Sequence, residues 1–210
     1  MTGSEDLPLE VLEQARALGF LGPGPVEAHR AHAAGFGEVV ETVLAAAPAR
    51  LVDLGSGGGV PGLVLAARWP DCHIWLVESN QRRCRYLRAV VRAQGWDPRV
   101  TVAEERAERV ARRPDARERF PVATARGFGE PAVTAEIAAG LVEVGGALVV
   151  SEPPGPAPAR WPATALRELG FGPAERIELR NASFVAIRKE RPAPDRVPRP
   201  TGRPAKRPQW

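Results

Sequence analysis

Residues 51–62 read LVDLGSGGGVPG, and this stretch limits what the chain can fold into more than any other. An aliphatic run ends at Asp53, and five glycines follow within eight positions. Glycine at that density weakens a strand or a helix, so the backbone there must turn sharply or approach another molecule closely. A strand that stops in glycine before a helix is a ligand loop at the carboxyl edge of a parallel sheet. The residues fit D-x-G-x-G-x-G on Asp53, Gly55, Gly57 and Gly59, with Ser56 inside the loop. Pro61 suits the first turn of the next helix, where its missing N–H is not needed. Gly57, Gly59 and Gly62 also satisfy G-x-G-x-x-G, the dinucleotide fingerprint. That second match begins several residues after the strand should end and contains Pro61.

Apolar spacing predicts helices over 7–21 and 25–47, broken by the GPGP of residues 22–25. From residue 49 the pattern changes to short apolar runs alternating with amphipathic segments. Strands are expected at 50–55, 73–79, 99–105, 121–127, 147–152, 175–180 and 183–189, with helices near 61–69, 81–95, 106–113, 131–143 and 160–169. Such alternation implies parallel strands with helices on both faces. The last two strands are separated by only a few residues around Asn181, so they should form an antiparallel hairpin. Five β-α units closed by a hairpin is the layout of the α/β, Rossmann-like class I S-adenosylmethionine-dependent methyltransferase fold. Three regions are expected: an N-terminal helical extension (1–47), a methyltransferase domain (48–190) and a basic, proline-rich tail (191–210).

The carboxylate before the first glycine, together with the hairpin, favours S-adenosylmethionine over a nicotinamide dinucleotide. Glu78 ends the second strand, 19 residues past Gly59. A carboxylate there can accept hydrogen bonds from both ribose hydroxyls of an adenosyl ligand. The EERAER of residues 104–109 follows the third strand and should lie beside the adenine. Five arginines between Asn80 and Gly95 make a solvated helix face, with room for a phosphate-facing subset.

Charge is unevenly placed. The net charge is +4, yet residues 188–210 hold eight Lys or Arg against two acids. The rest of the chain is therefore slightly acidic, and the basicity belongs to a segment that its prolines should keep extended. Cys72 and Cys84 make no disulfide framework, and His29, His32 and His73 form no ligand set with them, so no metal is expected. His29 and His32, three apart, can share a helix face. No apolar run reaches membrane-spanning length, and the acidic start lacks the pattern of a signal peptide, so a cytoplasmic protein is expected.

Methyl-transfer chemistries leave different marks. Amino methylation of adenine or cytosine often uses an Asn/Asp-Pro-Pro-aromatic loop after the fourth strand, where this chain has ARGFGE (125–130). Carbon-5 pyrimidine methylation needs a cysteine nucleophile at a strand end, and neither cysteine is so placed. What remains includes attack by an atom with a free lone pair, such as guanine N7. Such an atom has no proton to lose, so positioning and electrostatics suffice.

DLGSGGGVPGLVLA, VESNQRRCRYLR, ERAE, ATARGFGE and the tail PDRVPRPTGRPAKRPQ together resemble the GidB, or RsmG, family of small-subunit ribosomal RNA methyltransferases, which make 7-methylguanosine from S-adenosylmethionine. The resemblance runs from about Ala49 onward. It implies cofactor contacts at Gly55, Gly57, Gly59, Glu78, Ala107 and Glu108, to which the loop reading adds Asp53 and Ser56, and a functional arginine, Arg126, at both cofactor and catalytic centre. It also implies ribosomal RNA of the small subunit as partner; the charge of the tail, together with the resemblance, points to Arg196, Arg199, Arg203, Lys206 and Arg207 on its phosphates, and a monomer is expected. The chain departs from the family's pattern at Pro121, at Ser151–Pro154, which is acidic where RNA would be met, at Ala182-Ser183, and in an N-terminal region without the family's Asn-Leu-Thr segment. A small-molecule methyltransferase and a non-catalytic cofactor- or RNA-binding relative therefore stay open as alternatives.

Overall fold

The computed structural model describes residues 6–153, 160–180 and 182–210. Two helices, α1 (Leu9–Ala17) and α2 (Val26–Leu44), precede the alternating part. That part runs β1 (Arg50–Leu54), α3 (Gly62–Arg68), β2 (His73–Glu78), α4 (Gln81–Ala93), β3 (Val100–Glu104), α5 (Ala107–Val110), β4 (Phe120–Ala125), α6 (Pro131–Ala139), β5 (Val142–Glu152), α7 (Ala163–Glu168), β6 (Phe171–Leu179) and β7 (Ala182–Lys189), and α8 (Arg203–Lys206) follows. Every expected helix and strand is present, with ends shifted by a few residues; β5 and β6 begin earlier than their apolar runs.

The seven strands form one sheet in the order β3-β2-β1-β4-β5-β7-β6. β1 to β5 pair in parallel, and β7 pairs antiparallel with both β5 and β6. The β6–β7 connection is too short for a crossover helix, so a hairpin is the only pairing open to it. Its tip residue, Asn181, lies outside the described residues.

Successive strand residues point to opposite faces, and both faces are covered. Leu51, Ala147, Val149, Phe184 and Ala186 join the core beneath α1 to α4. Their neighbours Val52, Leu148, Val150, Val185 and Ile187 join the core beneath α5 to α7. This is why these strands read as continuous apolar runs. α2 is built into the first face: Phe36 packs edge-on against Phe184 (4.9 Å), and Glu41 accepts from Arg68 Nη2 (2.7 Å) and Trp69 Nε1 (2.8 Å). Asn80 caps α4 by accepting from the backbone N–H groups of Arg82 and Arg83. Cys84, Leu87, Val90 and Val91 on its inner face are buried, whereas Arg82, Arg85 and Arg92 are exposed. Both cysteines are buried, and burial pushes their thiols up to about 12 (Cys72) and about 11 (Cys84), so neither is a nucleophile at neutral pH.

Residues 191–210 are not the extended tail that their prolines suggest. Ala193 and Val197 are buried in the second core. Arg112 and Arg117 donate to the carbonyls of Pro198 (2.8 Å) and Val197 (2.6 Å), and Trp210 Nε1 donates to Arg160 O (3.0 Å). Arg199 closes on Glu136, a fully buried carboxylate of α6, through its backbone N–H (2.8 Å), Nε (2.8 Å) and Nη2 (2.5 Å). Composition argued against a core here. The segment needs none of its own, because it fills a groove of the body and borrows that body's polar partners.

Candidate functional site

The glycine loop is held by β1 and β2. Gly55 and Ser56 donate their N–H groups to Val77 O (2.9 and 3.1 Å), and Gly59 N–H donates to Ser56 O (2.7 Å). Asp53, 1% exposed, accepts from Gly62 N–H through Oδ2 (3.2 Å) and from the Thr124 hydroxyl through Oδ1 (2.9 Å). The Ser56 hydroxyl donates to Asp53 O (3.0 Å). Burial pushes the Asp53 carboxyl up to about 6, against the opposing pull of its hydrogen bonds from Thr124, Ser56 and Gly62.

Three of the expected cofactor residues are also spent within the protein. Asp53 and the Ser56 hydroxyl face inward and are spent on the protein, so they shape the loop from beneath. Asp53 pins β4 and the first turn of α3, and Gly62 is the residue that permits it: a Cβ there would meet Asp53 Oδ2 at 2.7 Å and collide with Leu76. Gly59 turns the chain at φ +90°, and the place its Cβ would take is filled by Leu63. Gly59 borders none of the cavities described below.

A cavity of about 340 Å³ opens at the carboxyl ends of β1, β2 and β4, within the range of small-ligand pockets. It is bordered by Gly55, Glu78, Ala107 and Glu108, from three segments, and by Phe128, Val133, Ile137 and Ala205. Glu78 joins two loops: Oε2 accepts from Gly57 N–H (3.1 Å) and Oε1 from Asn80 N–H (2.8 Å), with Arg83 Nη1 at 3.6 Å. An ionised carboxylate has about four acceptor positions, so two stay open for ribose hydroxyls. Gly55, at φ +66°, leaves a gap that a Cβ would close against Phe128 at 2.7 Å. An adenosyl group fits such a site, with a carboxylate for the sugar and flat or apolar walls for the base.

Glu108 accepts from Gly202 N–H (2.9 Å) and Arg106 Nη2 (3.3 Å). Burial pushes its pKa up, but hydrogen bonds from the Gly202 and Glu108 amides and from Arg106 hold it below the usual range. Through this bond α8 is drawn over the cavity, and Ala205 becomes part of its wall. Sequence reasoning had no signal for Ala205, whose place depends on a hydrogen bond spanning 94 residues.

Arg126 follows β4 and borders a second groove with Ser56 and Gly57, of about 300 Å³, on the other side of the glycine loop. Its Nη2 donates to His29 Nδ1 (2.6 Å), and His29 Nε2 donates to Gly22 O (3.1 Å). Since a carbonyl can only accept, Nε2 carries the His29 proton and Nδ1 holds the lone pair. The Arg126–His29 link was not foreseen; the spacing of His29 and His32 marked a helix face and no more. Burial lowers the Arg126 pKa, and the charge of Asp53 opposes that.

The expected RNA contacts divide. Arg199 is half-buried and committed to Glu136, whereas Arg196, Arg203, Lys206 and Arg207 are exposed. Glu152 is turned inward, accepting from Arg160 Nη1 (2.7 Å) and Trp161 Nε1 (3.1 Å). That stretch therefore does not present its acid to solvent, while Pro154 lies outside the described residues. Ser183 donates to Glu178 Oε2 (2.6 Å). No helix among the described residues is long and apolar enough to cross a membrane.

Residues 32–152 match the family described as GidB, rRNA small subunit methyltransferase G. The chain belongs to the GidB family. A Symbiobacterium thermophilum protein named ribosomal RNA small subunit methyltransferase G is 38% identical over 170 residues, covering 76% of this chain and 69% of its own. One of the same name from Roseiflexus castenholzii is 40% identical over 171 residues, covering 77% and 71%. Among solved structures, a Thermotoga maritima S-adenosylmethionine-dependent O-methyltransferase aligns with TM-score 0.61 at 13% identity, over 88% of this chain and 72% of that one. A Podospora anserina methyltransferase bound to S-adenosylhomocysteine aligns with TM-score 0.60 at 14% identity, over 90% and 91%. These two share the fold. Like its family, the chain is an S-adenosylmethionine-dependent methyltransferase.

Proposed function

We propose that this GidB-family enzyme methylates N7 of a guanine in small-subunit ribosomal RNA, in the cytoplasm where that RNA is found. The observation that carries the reading is the match to relatives named for that RNA, at 38–40% identity across about three quarters of the chain. The site supports it. S-adenosylmethionine, when bound, supplies an electrophilic methyl group. Gly55, Glu78, Ala107 and Glu108 would hold its adenosyl part, and Gly57 and Gly58 would leave room for the remainder.

Guanine N7 carries a lone pair and no proton, so the protein needs to orient the base and keep water out. The inward-facing polar groups beyond the glycine loop suit that task. Arg126 offers N–H donors, and His29 is committed at both ring nitrogens. We further propose that Arg196, Arg203, Lys206 and Arg207 contact RNA phosphates and set affinity rather than base choice. Incubation with labelled cofactor and total cell extract, followed by separation of RNA, protein and metabolites, tests the acceptor class. Label in small-subunit RNA is expected; label confined to metabolites or protein would refute the reading.

A further inference from the structure

Between α2 and the β6–β7 hairpin lies a cavity of about 440 Å³ that is separate from the adenosyl site. Pro25, Ala28, Ala31 and Leu179 give it apolar walls, and His29, His32, Glu38, Arg126 and Arg180 border it. His29 and Arg126 also border the groove at Gly57, so the two spaces meet at the end of β4. Gly127, the next residue, lines the adenosyl cavity itself. Adjacent residues of one loop thus border the adenosyl cavity on one side and this cavity on the other.

Two polar atoms stand out. Among the described residues, three buried side-chain nitrogens have no hydrogen-bond partner, and two of them, Arg126 Nη1 and His32 Nδ1, belong to residues of this cavity. Buried polar atoms are otherwise nearly always paired, and an unpaired one is costly. Arg126 is not free to turn away, because His29 holds its Nη2. His32 is held too, its ring packed 5.7 Å from Phe36 and 5.3 Å from Phe184. Burial, and then the charges of Arg126 and His29, lower its pKa to about 4, so it is neutral at pH 7. A neutral imidazole nitrogen can donate or accept, whereas the guanidinium N–H can only donate. Of these two atoms, Arg126 Nη1 is therefore the one that can only donate.

We propose that this cavity receives the acceptor base, and that Arg126 Nη1 donates to an oxo group at C6 of a purine while His32 Nδ1 fixes the base's tilt. The proposal rests on the guanine-N7 reading above and adds how the base is chosen. Guanine places two acceptors, O6 and N7, side by side on one edge, whereas adenine puts an amino donor where O6 would be. With Arg126 on O6, the neighbouring N7 keeps its lone pair free for the methyl group. Adenine would set donor against donor at the same point.

The test uses the full-length enzyme and a synthetic fragment of the small-subunit RNA it methylates, with the target guanosine replaced in turn by inosine, 2-aminopurine and adenosine. Inosine keeps O6 and N7; 2-aminopurine keeps N7 and loses O6. Transfer to inosine is expected within about threefold of guanosine, and transfer to 2-aminopurine at least about fivefold slower, the lower end of what base-edge recognition discriminates. In parallel, direct binding of the guanosine fragment is measured with S-adenosylhomocysteine present. His32→Phe, which keeps the ring stack, and Arg126→Lys should each weaken RNA binding at least fivefold. His32→Phe should leave S-adenosylhomocysteine affinity and the melting temperature at neutral pH close to wild type. Equal use of 2-aminopurine and guanosine would overturn O6 reading. Unchanged RNA binding in both variants would overturn the cavity assignment. If the wild type methylates no guanosine in that RNA, the functional reading fails, and the unsubstituted arm shows it.

Discussion

Arg199→Ala should destabilise the protein by about 3 kcal/mol, although the residue lies in a segment whose composition argues for no fold at all. Glu136 is fully buried, and three donors of Arg199 meet its carboxylate. Burial pushes the Glu136 pKa up, but those hydrogen bonds prevail and hold it below the usual range. The substitution leaves the backbone N–H and removes the guanidinium, stranding a buried charge. Breaking a buried pair from one side costs about 3–5 kcal/mol, and the lower end applies because the Arg199 side chain is 24% exposed. For a chain of this size that is a fall in Tm of roughly 6–12 °C. The loss should reach the cofactor, since Gly202 and Ala205 follow within six residues and close one wall of its cavity. Urea unfolding followed by circular dichroism gives the stability, and calorimetry with S-adenosylhomocysteine gives the affinity. The double substitution Glu136→Leu/Arg199→Leu should recover most of the stability, because the stranded charge is gone. A change below about 0.5 kcal/mol for Arg199→Ala would show that the segment does not hold to the body as described.

Glu78→Ala should weaken S-adenosylhomocysteine binding by about 1.5–3 kcal/mol, the worth of hydrogen bonds to a charged group, and unchanged affinity by calorimetry would remove Glu78 from the site. His32 gives a pH signature. Its folded pKa, about 4, lies below the unfolded value of 6.5, so it costs stability as pH falls from about 6.5 toward 4. Asp53 acts in the opposite sense, its raised pKa costing stability as pH rises from about 4 to 6, and it is common to wild type and variant. His32→Phe should therefore lose less Tm than wild type between pH 7.5 and 5, and parallel profiles would contradict the neutral, half-buried histidine. Replacing Arg196, Arg203, Lys206 and Arg207 by Gln should flatten the salt dependence of RNA binding, by about 0.9 in log–log slope for each phosphate that is no longer neutralised. An unchanged slope would place the RNA elsewhere.

The sheet was legible because its parallel strands are covered on both faces and so read as unbroken apolar runs, and because the short link near Asn181 left a hairpin as the only pairing. The glycine loop was legible as a loop, but the direction of its side chains was not. Asp53 carries the motif's acid, yet strand alternation and the bare Gly62 turn it under the loop. The packing of the 191–210 segment is not legible, because prolines and charge report what a segment can do alone. Here Glu108, Glu118 and Glu136, far away in sequence, supply partners for Gly202, Ala193 and Arg199. His29 shows the same limit, since its value lies in meeting Arg126, 97 residues away.

The most direct test of the account is the identity of the methylated nucleoside. Small-subunit ribosomal RNA from cells lacking this modification is incubated with the purified enzyme and labelled S-adenosylmethionine, digested to nucleosides and separated by chromatography with mass detection. Label is expected in 7-methylguanosine, at one position of the small-subunit RNA. Label in a methylated adenosine, a methylated pyrimidine or a ribose 2′-O-methyl nucleoside, or none in RNA while a small molecule is methylated, would contradict it.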